Sequence, residues 1–307
     1  MRLPWLVLLT TPALADVPLD TPTATEVDRD TTPPGGGELG FDAGSPLDTW
    51  AVSLATSYLD RPIALGSAVR RRETLVLGGA LALGPSVVVD GRFPLSHQVG
   101  ERLRESGSAA KLDRFVPGDL RFGVRLHVAH PVFLRGELAL PTGDAHDFAG
   151  ESSWMASWGL IGRFELPGDV VLAGGAGVRL RGDEVLIGDR VVGDELYGAA
   201  GAIVHVAPAL ALGGDIAAVL GDKVRGVKGP YPAEVHAGVI GTPRPDLELS
   251  LRAGIGLDDE IGAPRFRVTL QLVYRGTMKL IEPAPPPPET ELAGDYFTGT
   301  SRLTSAP

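Results

Sequence analysis

The chain has 307 residues, with 28 Lys and Arg against 38 Asp and Glu, and no cysteine. A net charge of −10 argues against nucleic acid as a partner, because phosphate binding needs concentrated positive charge. The missing thiols remove disulfide scaffolds, thiolate catalysis and Cys-based zinc sites, so stability must come from burial or from a closed hydrogen-bond network.

The first stretch is Met1-Arg2, the apolar run Leu3 to Leu9, and Ala13-Leu14-Ala15. One positive charge, a short apolar core and an A-x-A site predict a secretory signal peptide over residues 1–15. Residues 16–48 carry Pro, Thr, Asp and Gly35-Gly36-Gly37 with little periodicity, and are expected to form a flexible leader.

From residue 49 the apolar residues recur with a period of two, the signature of strands with unlike faces. Predicted strands run over 49–58, 75–83, 87–95, 120–128, 132–140, 154–166, 170–181, 196–206, 209–219, 234–240, 247–257 and 264–274. In the last, Phe266, Val268, Leu270, Leu272 and Tyr274 alternate with Arg265, Arg267, Thr269 and Gln271. After Tyr274 the pattern stops, and residues 275–307 form a Pro-rich tail containing Pro285-Pro286-Pro287-Pro288.

The connections sort by parity. Gly84-Pro85-Ser86, Ala129-His130-Pro131, Pro167-Gly168-Asp169 and Ala207-Pro208 are short, whereas Ser96–Gly118, Pro141–Ser152, Gly182–Glu195 and Gly221–Pro232 are long. An even number of strands with alternating short and long connections predicts an all-β, transmembrane, antiparallel up-and-down barrel of about twelve strands over 49–274. Greek-key sandwiches do not sort their connections this way. Tyr58, Phe93, Phe122, Trp154 and Phe266 fall beside long loops, and Trp50, Phe164 and Tyr274 at the opposite ends, as two interfacial belts would require.

An amphipathic last strand ending in Tyr274 resembles the closing strand of bacterial outer-membrane barrels, in which the terminal aromatic strand is read by the insertion machinery. Asp119 to Val124 (DLRFGV) and Gly136 to Asp144 (GELALPTGD) resemble the N-terminal barrel of myxobacterial-type proteins of the OmpA family, over about Leu47 to Tyr274. The resemblance implies an outer-membrane location, periplasmic termini, and contact with outer-membrane lipid and lipopolysaccharide. Such barrels are often followed by acidic calcium-binding repeats and a peptidoglycan-binding domain; here the Pro-rich tail follows instead.

Charges at membrane depth must face the lumen. The predicted lumen-lining set is Asp90, Arg92, Arg121, Arg125, His127, Arg135, Glu137, Arg163, Glu165, Arg179, Arg181, Asp215, Glu234, His236, Glu248, Arg252, Arg265 and Arg267. Two readings stay open: a pore passing small solutes or ions and favouring anions, or a narrow lumen filled by paired Arg and carboxylate side chains.

Catalysis has little support. Outer-membrane phospholipases use Ser-His-Asn, and the chain has no Asn, while His127, His205 and His236 take inward positions. Asp144-Ala145-His146-Asp147 places three ligand types on one loop without a second site, a weak metal signal. Gly174-Gly175-Ala176-Gly177 sits inside a strand and opens no helix, so it is no dinucleotide fingerprint; small residues there leave lumen space. The expected function is a passive channel or envelope barrel without cofactor or metal. The alternatives are an adhesion barrel working through Ser96–Gly118 and Gly182–Glu195, and a lipid-modifying enzyme.

Overall fold

The computed structural model describes residues 38–47, 49–63, 68–102, 110–144, 149–187, 190–222 and 227–277. The expected signal peptide, residues 16–37 of the leader, and the tail from 278 lie outside the described residues.

Fifteen strands form among the described residues. They are β1 (Trp50–Ile63), β2 (Val69–Gly84), β3 (Val87–Arg102), β4 (Ala110–Pro117), β5 (Leu120–Ala129), β6 (Val132–Leu140), β7 (Met155–Leu166), β8 (Val170–Arg181), β9 (Val185–Ile187), β10 (Arg190–Val192), β11 (Glu195–Ala207), β12 (Leu210–Gly221), β13 (Ala233–Arg244), β14 (Leu247–Gly256) and β15 (Phe266–Gly276). Every pairing is antiparallel, and with the small β9–β10 hairpin and the strand β4 set aside each strand pairs with its neighbours in the chain. The sheet closes where β1 pairs with β15, from Trp50 opposite Gly276 to Asp60 opposite Phe266. With β4 set aside, twelve strands make the closed wall.

Closure follows from the composition of the strands. Outward positions hold Leu, Val, Ile and aromatics left exposed, such as Leu77, Leu160, Leu212, Leu251 and Leu270. That surface makes sense only against lipid, where every backbone N–H and C=O must find an internal partner and an open edge is untenable. Rings gather at both rims: Trp50 and Tyr274 meet at 5.6 Å beside the short turns, and Tyr58 and Phe266 at 5.4 Å beside the long loops.

Two of the long connections are built rather than loose. The first half of β3 pairs with β5, and its second half, Leu95–Arg102, stays on β2 as far as Gly100 and takes β4 on its other edge. The expected loop Ser96–Gly118 is therefore largely a hairpin. Within Gly182–Glu195 the β9–β10 hairpin forms in the same way. Leu112, Val185 and Val192 from these connections, with Ile261 from the one before β15, pack with Ile63, Ala68 and Val69 into one buried cluster that caps the long-loop end.

Asp119, between β4 and β5, ties down the next loop by accepting from Gly143 N at 2.9 Å and Glu151 N at 2.7 Å. Burial pushes its carboxyl above the ordinary carboxylate range, against the pull of those two donors and of Arg121.

A charge placed on the lipid face reads out this orientation. Leu270→Arg, midway along β15, should destabilise the barrel by about 2–4 kcal/mol, and Leu257→Arg, beyond the end of β14, by under about 1 kcal/mol. Equilibrium urea unfolding in lipid vesicles checks both values; equal effects would contradict the membrane depth assigned here.

Candidate functional site

Inward positions of the wall carry the charge. Asp90, Arg92, Arg121, Arg125, Arg135, Arg163, Arg179, Asp215, Glu234, His236, Glu248, Arg252 and Arg267 are all buried inside the barrel. The Glu137 and Arg181 side chains are buried with them. Three expected lumen residues stand elsewhere. His127 and Glu165 share the inward parity but lie exposed at the short-turn mouth, and Arg265 is exposed in the long connection before β15. His205, also at that mouth, is exposed, with Nδ1 3.2 Å from the carbonyl of Asp169. Parity gives the side of the wall, and only depth gives burial.

The β3–β6 sector holds the densest network. Glu137 takes Arg92 Nη2 at 2.5 Å and Arg121 Nη1 at 3.2 Å, one on each carboxylate oxygen. Arg135 grips Asp90 with both terminal nitrogens, a bidentate fork, with Nη2 to Oδ1 at 2.9 Å. Further round, Glu195 Oε2 receives Arg179 at 2.8 Å and Arg181 at 3.1 Å, and Arg181 also reaches Glu151 at 3.2 Å. Glu195 and Glu151 were not in the expected set; the signal for them was the pair Arg179 and Arg181, which need carboxylates nearby.

A second network spans β12 to β15. His236 sits between two carboxylates, Nδ1 2.8 Å from Asp215 Oδ2 and Nε2 3.1 Å from Glu234 Oε2. Arg267 donates to both oxygens of Glu234 at 3.1 Å, and Arg275 reaches Glu248 at 2.8 Å. On β2, Arg72 is fully buried, donating Nε to Thr74 and Ser96 at 3.1 Å, although the sequence pattern placed it in a connection.

Counted over the described strands, ten buried arginines face six buried carboxylates. Part of the difference is met from an unexpected place. Residues 38–45, expected within the flexible leader, lie inside the barrel at its short-turn end. Leu39, Phe41 and Ala43 pack against Val171, Ala173, Ile203, Ala211 and Ile240, inward side chains of β8, β11, β12 and β13. Between these apolar residues the segment turns its acids to the wall: Glu38 Oε2 accepts from Arg163 Nη1 at 2.7 Å, and Asp42 Oδ1 from Arg125 Nη1 at 3.2 Å.

Glycine allows the close fit. A Cβ on Gly40 would stand about 3 Å from Arg252, Asp215 and His236, while its N–H donates to Asp215 Oδ1 at 3.0 Å. Gly44 has φ +69° and turns the chain against the Phe133 ring. The alternation of Leu39, Phe41 and Ala43 was the available signal. It is too short to stand out within a stretch of Pro, Thr and Asp.

Above the segment lies a cavity of about 90 Å³. Its floor is Gly40 to Asp42, its polar walls include Arg135, Glu137, Tyr197, Glu234, His236 and Arg267, and the rest combines small residues such as Gly159, Gly175, Ala199 and Ala217 with Ile161 and Val219. No group of three or more metal-ligating side chains occurs among the described residues. Of the loop 144–147, residues 145–147 lie outside them, and Asp144 is paired with Arg114.

No family model matches the chain, and no curated protein matches it. Among solved structures, an outer-membrane channel from Pseudomonas putida F1 superposes with a TM-score of 0.52 at 13% identity, covering 78% of this chain and 98% of its own. The fold is that of an outer-membrane β-barrel. The NanC porin (TM-score 0.48, 5% identity) and the KdgM porin (0.44, 8%) each cover 74% of this chain, and 100% and 99% of their own.

In the lumen of this outer-membrane barrel, pairing is the condition of burial. Glu137→Gln should destabilise the barrel by about 3–5 kcal/mol, because Arg92 and Arg121 lose a buried counter-charge. Neutralising the exposed pair partner Glu73 should cost under about 0.5 kcal/mol. The temperature at which the folded band converts on a heat-modifiability gel measures both; similar shifts would count against the network as a stabilising element.

Proposed function

We propose that the protein is a passive outer-membrane channel of narrow bore, closed at rest, with both termini in the periplasm and no catalytic step. The observation that carries this reading is the cavity of about 90 Å³ left open in a charged lumen, between the 38–45 segment and the cap of long loops. A purely mechanical barrel could fill its interior with apolar side chains, which bury at lower cost than ion pairs. The channel from Pseudomonas putida F1 lends the reading support as a neighbour in fold.

A structural envelope barrel is the second reading, favoured by the closure of both ends. Adhesion through the long connections has less in its favour, since parts of both proposed loops are folded into the cap. The resemblance of Asp119–Val124 and Gly136–Asp144 to myxobacterial OmpA-family barrels, recognition of the Tyr274 strand by the insertion machinery, and contact with lipopolysaccharide belong to the same proposal.

Planar-bilayer conductance of the refolded chain from Asp16 onward, with folding verified by heat modifiability, is the test. The channel reading expects infrequent, small steps whose reversal potential in a salt gradient favours anions. A folded barrel that stays silent at all voltages would leave the structural reading in its place.

A further inference from the structure

We infer that residues 38–45 occupy a binding site of their own barrel, and that this site, when vacated, takes small carboxylate-bearing solutes. The inference rests on the channel reading and adds to it the solute class and the closing element.

The division of partners among the arginines points this way. Arg92, Arg121, Arg135 and Arg179 are paired with carboxylates of the wall. Arg125 and Arg163 are different. Among the described residues, the hydrogen bonds and ion pairs of Arg125 go to Asp42 Oδ1 at 3.2 Å and the Ser45 carbonyl at 2.6 Å. Those of Arg163 go to Glu38 Oε2 at 2.7 Å. Two buried guanidinium groups thus take their carboxylates from a segment that belongs to none of the wall's strands, and Asp42 Oδ2 also stands 3.4 Å from Arg135 Nε. A buried cation favours a counter-charge, so once the segment has left, the two guanidinium groups favour another anion there.

The segment is built to leave. It contributes no strand to the ladder, so withdrawing it breaks no pairing of the wall. It sits at the short-turn end, where Pro46 is already exposed, and the cavity lies directly beyond Gly40 to Asp42. The chemistry of its replacement can be read from what it presents: carboxylates to guanidinium forks, the geometry for which arginine is best suited. The segment competes as an intramolecular ligand with an effective concentration on the order of millimolar. A free carboxylate therefore acts only at millimolar levels or above.

The absence of cysteine permits a direct test. Ser45→Cys in the otherwise unchanged chain, refolded into vesicles, reports withdrawal through its rate of reaction with a charged maleimide, because Ser45 is buried in the closed state. At about 100 mM, succinate should raise that rate several-fold, while butane-1,4-diol, and sodium chloride at matched ionic strength, should not. Adding Arg125→Gln and Arg163→Gln should make labelling fast and indifferent to succinate. In bilayers, Glu38→Gln with Asp42→Asn should raise the open fraction several-fold, with chloride currents that succinate reduces.

Labelling unaffected by succinate, or accelerated equally by chloride, would overturn the carboxylate site whether or not the barrel conducts. A folded Glu38→Gln, Asp42→Asn variant that stays silent would instead remove the channel reading. Should that variant not fold, the Ser45→Cys measurement still decides, because it keeps every native charge.

Discussion

In lipid, no backbone N–H or C=O can be left without a partner, and the pairing of β1 with β15 is what satisfies this condition all round the wall. The remaining features descend from it. A closed ladder forces each strand to turn alternate residues outward and inward, so apolar side chains cover one face and everything polar is directed into the lumen. In a twelve-stranded barrel the lumen is narrow enough for inward side chains to reach past a neighbouring strand. Arg92 of β3 meets Glu137 of β6 across β5, and Arg267 of β15 meets Glu234 of β13 across β14. These ion pairs are thus a consequence of closure, and each ties together two strands that the backbone ladder does not pair directly.

The two ends are closed by different physics. At the long-loop end, Ile63, Val69, Leu112, Val185 and Ile261 make an apolar cluster that salt leaves largely untouched. At the other end, Leu39 and Phe41 provide apolar contact, but the orientation of the segment is set by Glu38 and Asp42 against Arg163 and Arg125. Charge neutrality links this closure to the contents of the lumen. The cap has no such link. An asymmetry of this kind suits a barrel that responds to solutes from one side.

Much of the wall was legible from the period of two, because a residue shifted by one place changes face and the pattern tolerates no slip. Phe266 to Tyr274 shows this most plainly: its outward and inward sets are those of β15. The second half of β3 was missed because Ser96, Gln98 and Gly100 continue the alternation with residues that also make loops. Arg72 was missed for a related reason, lying in a run of three arginines that resembles a solvated connection. His127 and Glu165 were assigned to the lumen correctly by side but not by height, which parity cannot supply. The inserted segment was the hardest case. Its position depends on charges distributed over β5 and β7, far from it in the chain, and no local pattern of residues 38–45 records them.

Small residues decide where the interior stays open. Arginines crowd the β3–β6 sector, whereas β7, β8, β11 and β12 turn Gly159, Gly175, Ala199 and Ala217 inward. The free space is bounded by these small residues and by Arg135, Glu137, Tyr197, Glu234, His236 and Arg267. The segment reaches from Arg125 on β5 to the inward side chains of β8, β11, β12 and β13, with Gly40 at the floor of the cavity. Vacating the segment's place requires no change in strand number or register, since residues 38–45 belong to no strand of the wall. Movement of one short stretch of chain would join the existing cavity to the short-turn mouth. The arginines left behind would then line one side of the passage with positive charge, so the same residues that hold the segment in place would select the solute that replaces it.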